Sequence, residues 1–153
     1  MKYLLTMLMF VLIITGCAQK SAFERFQLTK PQELAEDNMK SNKIINDKNE
    51  VVGVVTAVYL NKIDPKRYNH QYEFFYVYLF AKNETATIKF SLDGKQTLLQ
   101  EELSNINEFT TLTSFTSKWN KYYLVGFAKG EENLHLKVYI DEDSTTLTFR
   151  TYR

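Results

Sequence analysis

Two histidines, several groups of acidic residues and one cysteine are the side chains of this sequence most able to do chemistry. The histidines, His70 and His135, are far apart in the chain, and neither has another histidine at an i,i+4 or similar spacing. A catalytic zinc ion generally takes three protein ligands and a structural zinc ion takes four. We therefore expect no metal site. His135 alternates with Leu134 and Leu136, which predicts an outward-facing position on a strand.

The acidic residues occur as direct neighbours, at Glu101-Glu102, Glu131-Glu132 and Asp141-Glu142-Asp143. Glycoside hydrolysis needs two carboxyl groups that face each other across roughly 5 to 10 Å, and a calcium loop follows a pattern of about twelve residues that the last group lacks. A Gly-x-Ser-x-Gly elbow and a Gly-rich phosphate loop are also missing. We expect solvated turns and strand ends at these positions, with no catalytic residue and no cofactor.

The only cysteine, Cys17, follows a short apolar run. Met1-Lys2 is a positive start, and Tyr3 to Ile14 is too short, at about 12 residues, to cross a bilayer as a helix. The sequence Ile14-Thr15-Gly16-Cys17 resembles the lipobox of bacterial lipoproteins. The resemblance implies that a signal peptide, residues 1–16, is cleaved between Gly16 and Cys17. It also implies that Cys17 receives a diacylglyceryl group on sulfur and an acyl chain, such as palmitate, on its amine.

Two other interpretations of this segment are a soluble secreted protein with a free thiol and an uncleaved anchor helix. Two or more acyl chains hold a protein stably on a membrane, whereas one binds reversibly. Once Cys17 is lipidated, no thiol remains for a disulfide, a nucleophile or a metal site. In lipoproteins of two-membrane bacteria, a residue such as Ala18 after the cysteine implies sorting to the outer membrane.

Composition predicts one ordinary globular domain. The chain has 153 residues, with 19 Lys and Arg against 18 Asp and Glu, and removal of residues 1–16 leaves equal numbers of the two charges. Nucleic acid is therefore not an expected partner. We expect a tether at 17–28 and a folded domain at 29–153.

A helix is predicted at the start of this domain. Thr29-Lys30-Pro31-Gln32 matches a capping box with proline in the first turn. Leu34, Ala35 and Met39 form a narrow apolar stripe, so we expect the helix to continue to about Lys43.

From Val51 onward the apolar residues follow the period of strands, and β-branched and aromatic types dominate. Val51–Leu60 and Tyr72–Ala81 are apolar on both faces, as in central strands with both faces covered. Asp93-Gly94 indicates a type I′ hairpin. The remaining strands are expected at 86–92, 97–101, 122–128, 134–140 and around 147–149.

Closely spaced strands of this kind predict an all-β fold, an antiparallel β-sandwich of about seven strands with one short N-terminal helix. Two longer connections, 61–71 and 103–118, have the length that a crossing between the two sheets would need.

Three segments resemble small envelope lipoproteins of epsilonproteobacteria: Thr56–Asn61, Glu73–Tyr78 and Trp119–Val125. This resemblance implies an immunoglobulin-like sandwich in the cell envelope. The cysteine pair of antibody domains is absent, and Trp119 precedes a late strand rather than lying on an early one.

The strand Tyr72–Ala81 is unusually aromatic on both faces. One interpretation is that its two faces fill the core and lie under the helix or a neighbouring edge. The other is that tyrosines form a contact surface, because Tyr combines apolar area with a polar tip. The candidate surface residues are Tyr68, His70, Tyr72, Tyr76, Tyr78, Phe109 and Phe115.

The leading hypothesis is a lipid-anchored, non-enzymatic interaction or structural module that presents loops 61–71 and 103–118 to another envelope protein. One alternative is a domain that binds or hydrolyses a cell-wall or surface glycan, with His70 and Asp64 in a pocket. A further alternative is a surface-exposed adhesin.

Overall fold

A computed structural model of the chain describes residues 28–68, 71–113 and 115–151. In chain order the elements are α1 (Lys30–Asp37), β1 (Met39–Ile45), β2 (Val51–Tyr59), a 3₁₀ turn (Leu60–Lys62), β3 (Tyr72–Ala81), β4 (Ile88–Leu92), β5 (Lys95–Gln96), β6 (Leu99–Leu103), α2 (Thr110–Thr113), β7 (Asn120–Ala128), β8 (Asn133–Ile140) and β9 (Asp143–Arg150). No helix in these ranges has the length and apolar character needed to cross a membrane.

The strands form two antiparallel sheets, which confirms the predicted sandwich. The larger sheet has the order β1-β2-β3-β7-β6, and the smaller sheet has the order β5-β4-β8-β9. If β2, β3, β7 and β6 are equated with strands A, B, E and D of an immunoglobulin domain, the smaller sheet has the order C′, C, F, G. The strand order is therefore immunoglobulin-like, and β1 is an additional edge strand.

The sandwich core lies between the two sheets and follows the predicted alternation. Leu134, Leu136, Val138 and Ile140 of β8 are buried, whereas His135 is exposed. The central strands β2 and β3 are covered on both faces over most of their length, as their continuous apolar sequence predicts.

The Asp93-Gly94 turn has positive φ at both residues, 51° and 77°, which confirms the type I′ hairpin. The strand after it is shorter than predicted. Only Lys95–Gln96 pair with β4, and the chain then changes sheets, so that Leu99–Leu103 pair with β7. The structure thus divides one predicted strand into two.

The prediction that the first helix continues to about Lys43 was wrong. The helix ends at Asp37, where the side chain of Asn38 donates a 2.8 Å hydrogen bond to the Leu34 carbonyl oxygen. Met39–Ile45 form strand β1 because they pair with β2 along their length and bury Ile44 in the sandwich core. Within the described residues, this strand and β5 raise the number of strands from the expected seven or so to nine.

The expectation that the two long connections cross between the sheets was also wrong. Connection 61–71 joins β2 to β3, and connection 103–118 joins β6 to β7, and each of these pairs lies side by side in the larger sheet. Shorter segments make the crossings. The long connections are therefore free to fold back over the outer face of the larger sheet.

Candidate interaction surfaces

A second apolar cluster, which we call the outer core, lies on the outer face of the larger sheet. Its buried members are Ala35, Val58, Leu60, Tyr68, Tyr76, Phe109 and Tyr122. Helix α1 and the two long connections supply its cover. The ring centroid of Phe109 lies 5.0 Å from that of Tyr76, a separation typical of packed aromatic pairs.

Two hydrogen bonds of one ion pair tie the long connections to each other. The Arg67 guanidinium donates to both carboxylate oxygens of Glu108, at 2.5 and 2.8 Å. This bonding lowers the pKa of the Glu108 carboxyl below its usual value. Both side chains are about half exposed, so solvent screens the pair and its contribution to stability is small.

Several of the candidate surface residues belong to the outer core. Tyr68, Tyr76 and Phe109 are buried and pack beneath the cover, so they are not available as a contact surface. Tyr78 is half-buried, and Tyr72 and Phe115 are exposed. The interpretation that the aromatic strand fills cores on both faces therefore holds for most of its length.

Other candidates lie outside the described residues. These are the lipidation residue Cys17, the cleavage-site residue Gly16 and His70. Their predicted roles stay predictions.

One carboxylate is buried inside the sandwich. Glu73 is 5% exposed, and its oxygens accept hydrogen bonds from the Tyr59 hydroxyl at 2.6 Å and from the Gly130 amide at 3.3 Å. Burial, followed by the hydrogen bond to Glu73, raises the pKa of Tyr59 well above its ordinary value. These contacts join β2, β3 and the turn before β8. The Tyr59 hydroxyl and the Glu73 carboxylate therefore have a structural role.

A second buried polar side chain supports the start of β3. Asn61 donates to the Tyr72 carbonyl oxygen at 2.6 Å and accepts from the Phe74 amide at 2.8 Å. The Asn61 side chain thus bonds two backbone groups of β3 that a neighbouring strand would otherwise bond.

Asp64 and His70 are the residues predicted to form a glycan-binding pocket. Asp64 is exposed, and its carboxylate accepts a 3.1 Å hydrogen bond from the backbone amide of Arg67 in a local turn. The other histidine, His135, lies 3.2 Å from the Thr148 hydroxyl, measured from Nδ1 to Oγ1. Across the described ranges, no three His, Cys, Asp or Glu side chains are placed to hold a metal ion.

Two exposed apolar surfaces formed by described residues lie at opposite ends of the outer face. The first is an open groove of about 360 Å³, which we call the Phe80 groove, and its lining residues are Val54, Thr56, Tyr78, Phe80, Phe115 and Asn120. Phe80 and Phe115 are 44% and 48% exposed. Trp119, which precedes Asn120, is 62% exposed.

The second surface, which we call the Tyr72 surface, consists of Tyr72, Phe74 and Leu99, and the exposed Leu98 directly precedes Leu99 in the chain. The Tyr72 and Phe74 rings meet edge to face, with centroids 6.3 Å apart. Gly126 lies between Phe74 and Leu99 in the register of the sheet, and a Cβ there would be 2.9 Å from the Phe74 ring and 3.3 Å from Leu99. The absent side chain therefore lets residues from β3 and β6 approach each other over β7.

Sequence reasoning did not include Phe80, Trp119, Leu98 or Leu99 among the candidate surface residues. The available signals were weak. Phe80 shares the register of Tyr76 and Tyr78, and Trp119 is the only tryptophan, in a polar segment before a strand. Neither pattern tells which part of a sheet face the long connections leave uncovered.

No protein-family model, curated protein or solved structure matches the chain. The surfaces described above are therefore the basis on which a function can be inferred.

Proposed function

We propose that the protein is a non-enzymatic interaction module, anchored by lipid on Cys17 in the cell envelope, that binds another envelope protein through the Tyr72 surface. The anchor rests on the lipobox-like sequence Ile14–Cys17, and outer-membrane sorting rests on Ala18. The resemblance to envelope lipoproteins of epsilonproteobacteria stays a prediction.

The observation that carries the proposal is an exposed apolar surface beside a strand whose outer edge has no paired strand among the described residues. β6 is the last strand of the larger sheet, and all of its residues but Leu103 are exposed. Leu98 and Leu99, at its start, are 64% and 39% exposed. An unpaired strand edge can accept an extended segment of a partner, and a neighbouring apolar surface can hold its side chains.

The charges on β6 favour a partner of a particular kind. Glu101 and Glu102 are both exposed, and neither forms an ion pair within the part of the chain that the structure describes. Antiparallel pairing of this strand with a second copy would place like charges close together, which is unfavourable. A partner segment with lysine or arginine would complement them.

The uses of the buried polar groups agree with a non-enzymatic role. Glu73 and Asn61 hold strand ends, and Asp64 stabilises a turn. Each of these side chains has a structural partner, and Asn61, through the backbone of Tyr72 and Phe74, holds the strand end that carries the Tyr72 surface.

Site-specific photo-crosslinking in cells tests the partner. A photoreactive amino acid at Leu99 is expected to give one discrete protein adduct. The same amino acid at Lys89, an exposed residue on β4 of the smaller sheet, is the matched control and is expected to give none. Equal labelling patterns at both positions, or no adduct at Leu99, would contradict the proposal.

The anchor has a separate test. Cys17→Ala is expected to abolish lipid labelling and to move the protein out of the detergent phase on partitioning. Unchanged lipid labelling would exclude Cys17 as the modified residue.

A further inference from the structure

The exposed Trp119 directly precedes Asn120 of the Phe80 groove, so an aromatic residue adjoins this groove at the end of the outer face away from the Tyr72 surface. Phe80, Phe115 and Trp119 are each more than two-fifths exposed. Phe115 packs against Tyr78 with ring centroids 5.9 Å apart, which leaves the rest of its ring at the surface. Large exposed aromatic groups in one area are uncommon on monomers and mark a contact surface.

Two lysines adjoin this aromatic surface. Lys43 pairs with Val54 in the β1–β2 register and is therefore on the same sheet face. The ammonium of Lys118 lies 4.9 Å from the centre of the Trp119 ring. From Phe115 to Asn120 the sequence has one lysine, Lys118, and no acidic residue. Tryptophan with flanking lysines is typical of surfaces that contact the polar region of a bilayer, where lysine also attracts anionic headgroups.

The chain enters the domain on this face. Helix α1 begins at Lys30, and the Gln32 side chain donates a 3.0 Å hydrogen bond to the carbonyl oxygen of Thr111, four positions before Phe115. The segment between Cys17 and Leu28 spans at most about 40 Å when extended. A lipid on Cys17 would therefore keep the domain close to the membrane, where even a weakly attractive surface is occupied because its effective concentration is high.

We propose that the Phe80 groove and Trp119 dock on the lipid surface of the membrane that holds the anchor. The inference rests on the proposed anchoring at Cys17. It assigns the membrane to one end of the outer face and leaves the Tyr72 surface, at the other end, free for the protein partner.

Trp119 allows a direct test because it is the only tryptophan. The lipidated protein would be reconstituted in vesicles of phosphatidylcholine and phosphatidylglycerol, with and without brominated acyl chains. Docking predicts that brominated lipid quenches Trp119 fluorescence, that its emission shifts to shorter wavelength, and that iodide in the water quenches it less. If brominated lipid does not quench Trp119, the proposal is wrong. Protection from iodide without quenching by brominated lipid would indicate contact between copies and would also overturn it.

Two variants at exposed positions define the surface. Lys118→Glu is expected to lower the ratio of docked to undocked protein by about tenfold on anionic vesicles. Phe115→Ala is expected to reduce quenching on both anionic and neutral vesicles. Lys89→Glu, on the smaller sheet, makes the same charge change away from the groove and is expected to have no effect. Equal effects of Lys118→Glu and Lys89→Glu would contradict docking through the groove.

The mass of the N-terminal peptide separates this proposal from the one on which it rests. An acylated Cys17 together with unquenched Trp119 counts against the groove alone. An unmodified Cys17 counts against the anchor, whatever the fluorescence shows.

Discussion

At the scale of single residues, Glu73 places a carboxylate inside the sandwich, where it needs hydrogen-bond donors. A buried charge is costly unless it is hydrogen-bonded. The Tyr59 hydroxyl and the Gly130 amide supply two donors, at 2.6 and 3.3 Å. Because these donors come from β2 and from the turn before β8, the carboxylate also links the two sheets at one end of the sandwich.

Tyr59→Phe is expected to lower the free energy of unfolding by about 1–3 kcal/mol, because the buried carboxylate loses its shorter hydrogen bond. Glu73→Gln keeps an acceptor oxygen for Tyr59 and is expected to cost less. Tyr72→Phe removes an exposed hydroxyl and is the control, with a change within about 0.5 kcal/mol. Urea denaturation measures all three. Equal stability of Tyr59→Phe and Tyr72→Phe would show that the Tyr59–Glu73 bond contributes little.

At the scale of elements, the two long connections act as a cover for the larger sheet. Phe109 inserts from one connection against Tyr76 and Tyr68, while the Arg67–Glu108 pair joins the connections at the surface. The two kinds of contact differ in energy. Burial of an aromatic side chain contributes several kcal/mol, whereas an exposed ion pair contributes about 0–1 kcal/mol.

Phe109→Ala is therefore expected to lower the free energy of unfolding by about 3–5 kcal/mol, since it leaves a cavity in the outer core. Glu108→Gln, at the adjacent position, is expected to lower it by less than about 1 kcal/mol. Chemical denaturation followed by circular dichroism compares the two variants. A larger effect of Glu108→Gln would mean that the ion pair, rather than the apolar cluster, holds the cover in place.

The elements also show where sequence patterns were sufficient. Strands β4 and β8 were predictable because a two-residue alternation survives in any sheet that buries one face. The end of α1 was not, because Leu34, Ala35 and Met39 have helical spacing although Met39 begins a strand. Pairing of β1 with β2 outweighs that local pattern, and pairing depends on a partner that is distant in the sequence.

At the scale of the whole molecule, the two sides of the sandwich differ. On one side β1 approaches β9, where Asn42 donates a 2.9 Å hydrogen bond to the Thr145 hydroxyl. On the other, a side-chain hydrogen bond joins β6 to β4, with Gln100 donating to the Ile88 carbonyl oxygen at 3.2 Å. The β6 side is thus the more open one, and it carries the Tyr72 surface.

The distribution of buried tyrosines predicts how the whole fold responds to alkali. Burial raises the pKa of Tyr68, Tyr76 and Tyr123 to about 12. An unfolded tyrosine has a pKa of about 10. Above that pH the unfolded chain binds fewer protons than the folded one, so the free energy of unfolding falls, by up to about 1.4 kcal/mol per pH unit for each tyrosine.

Stability is accordingly expected to be independent of these groups below about pH 10 and to decline between about pH 10 and 12. Tyr76→Phe is expected to make that decline shallower than it is in the unsubstituted protein. Urea midpoints measured across this pH range test the expectation. A decline that is identical in Tyr76→Phe and in the unsubstituted protein would mean that Tyr76 does not contribute to it.

The sequence by itself determined the all-β class, the type I′ hairpin at Asp93-Gly94 and the alternating strands, because each depends on neighbouring residues and a regular backbone period. It also supports the prediction of a lipid on Cys17. These features need no knowledge of what lies across the fold.

Only the tertiary structure decided which aromatic residues are surface and which are core. Tyr76 and Phe80 lie on the same face of β3, yet Tyr76 is fully buried and Phe80 is 44% exposed. The difference arises because the long connections return to the sheet they left and cover one part of it. Where a connection folds depends on contacts between residues far apart in the chain, and local sequence periodicity carries no information about such contacts.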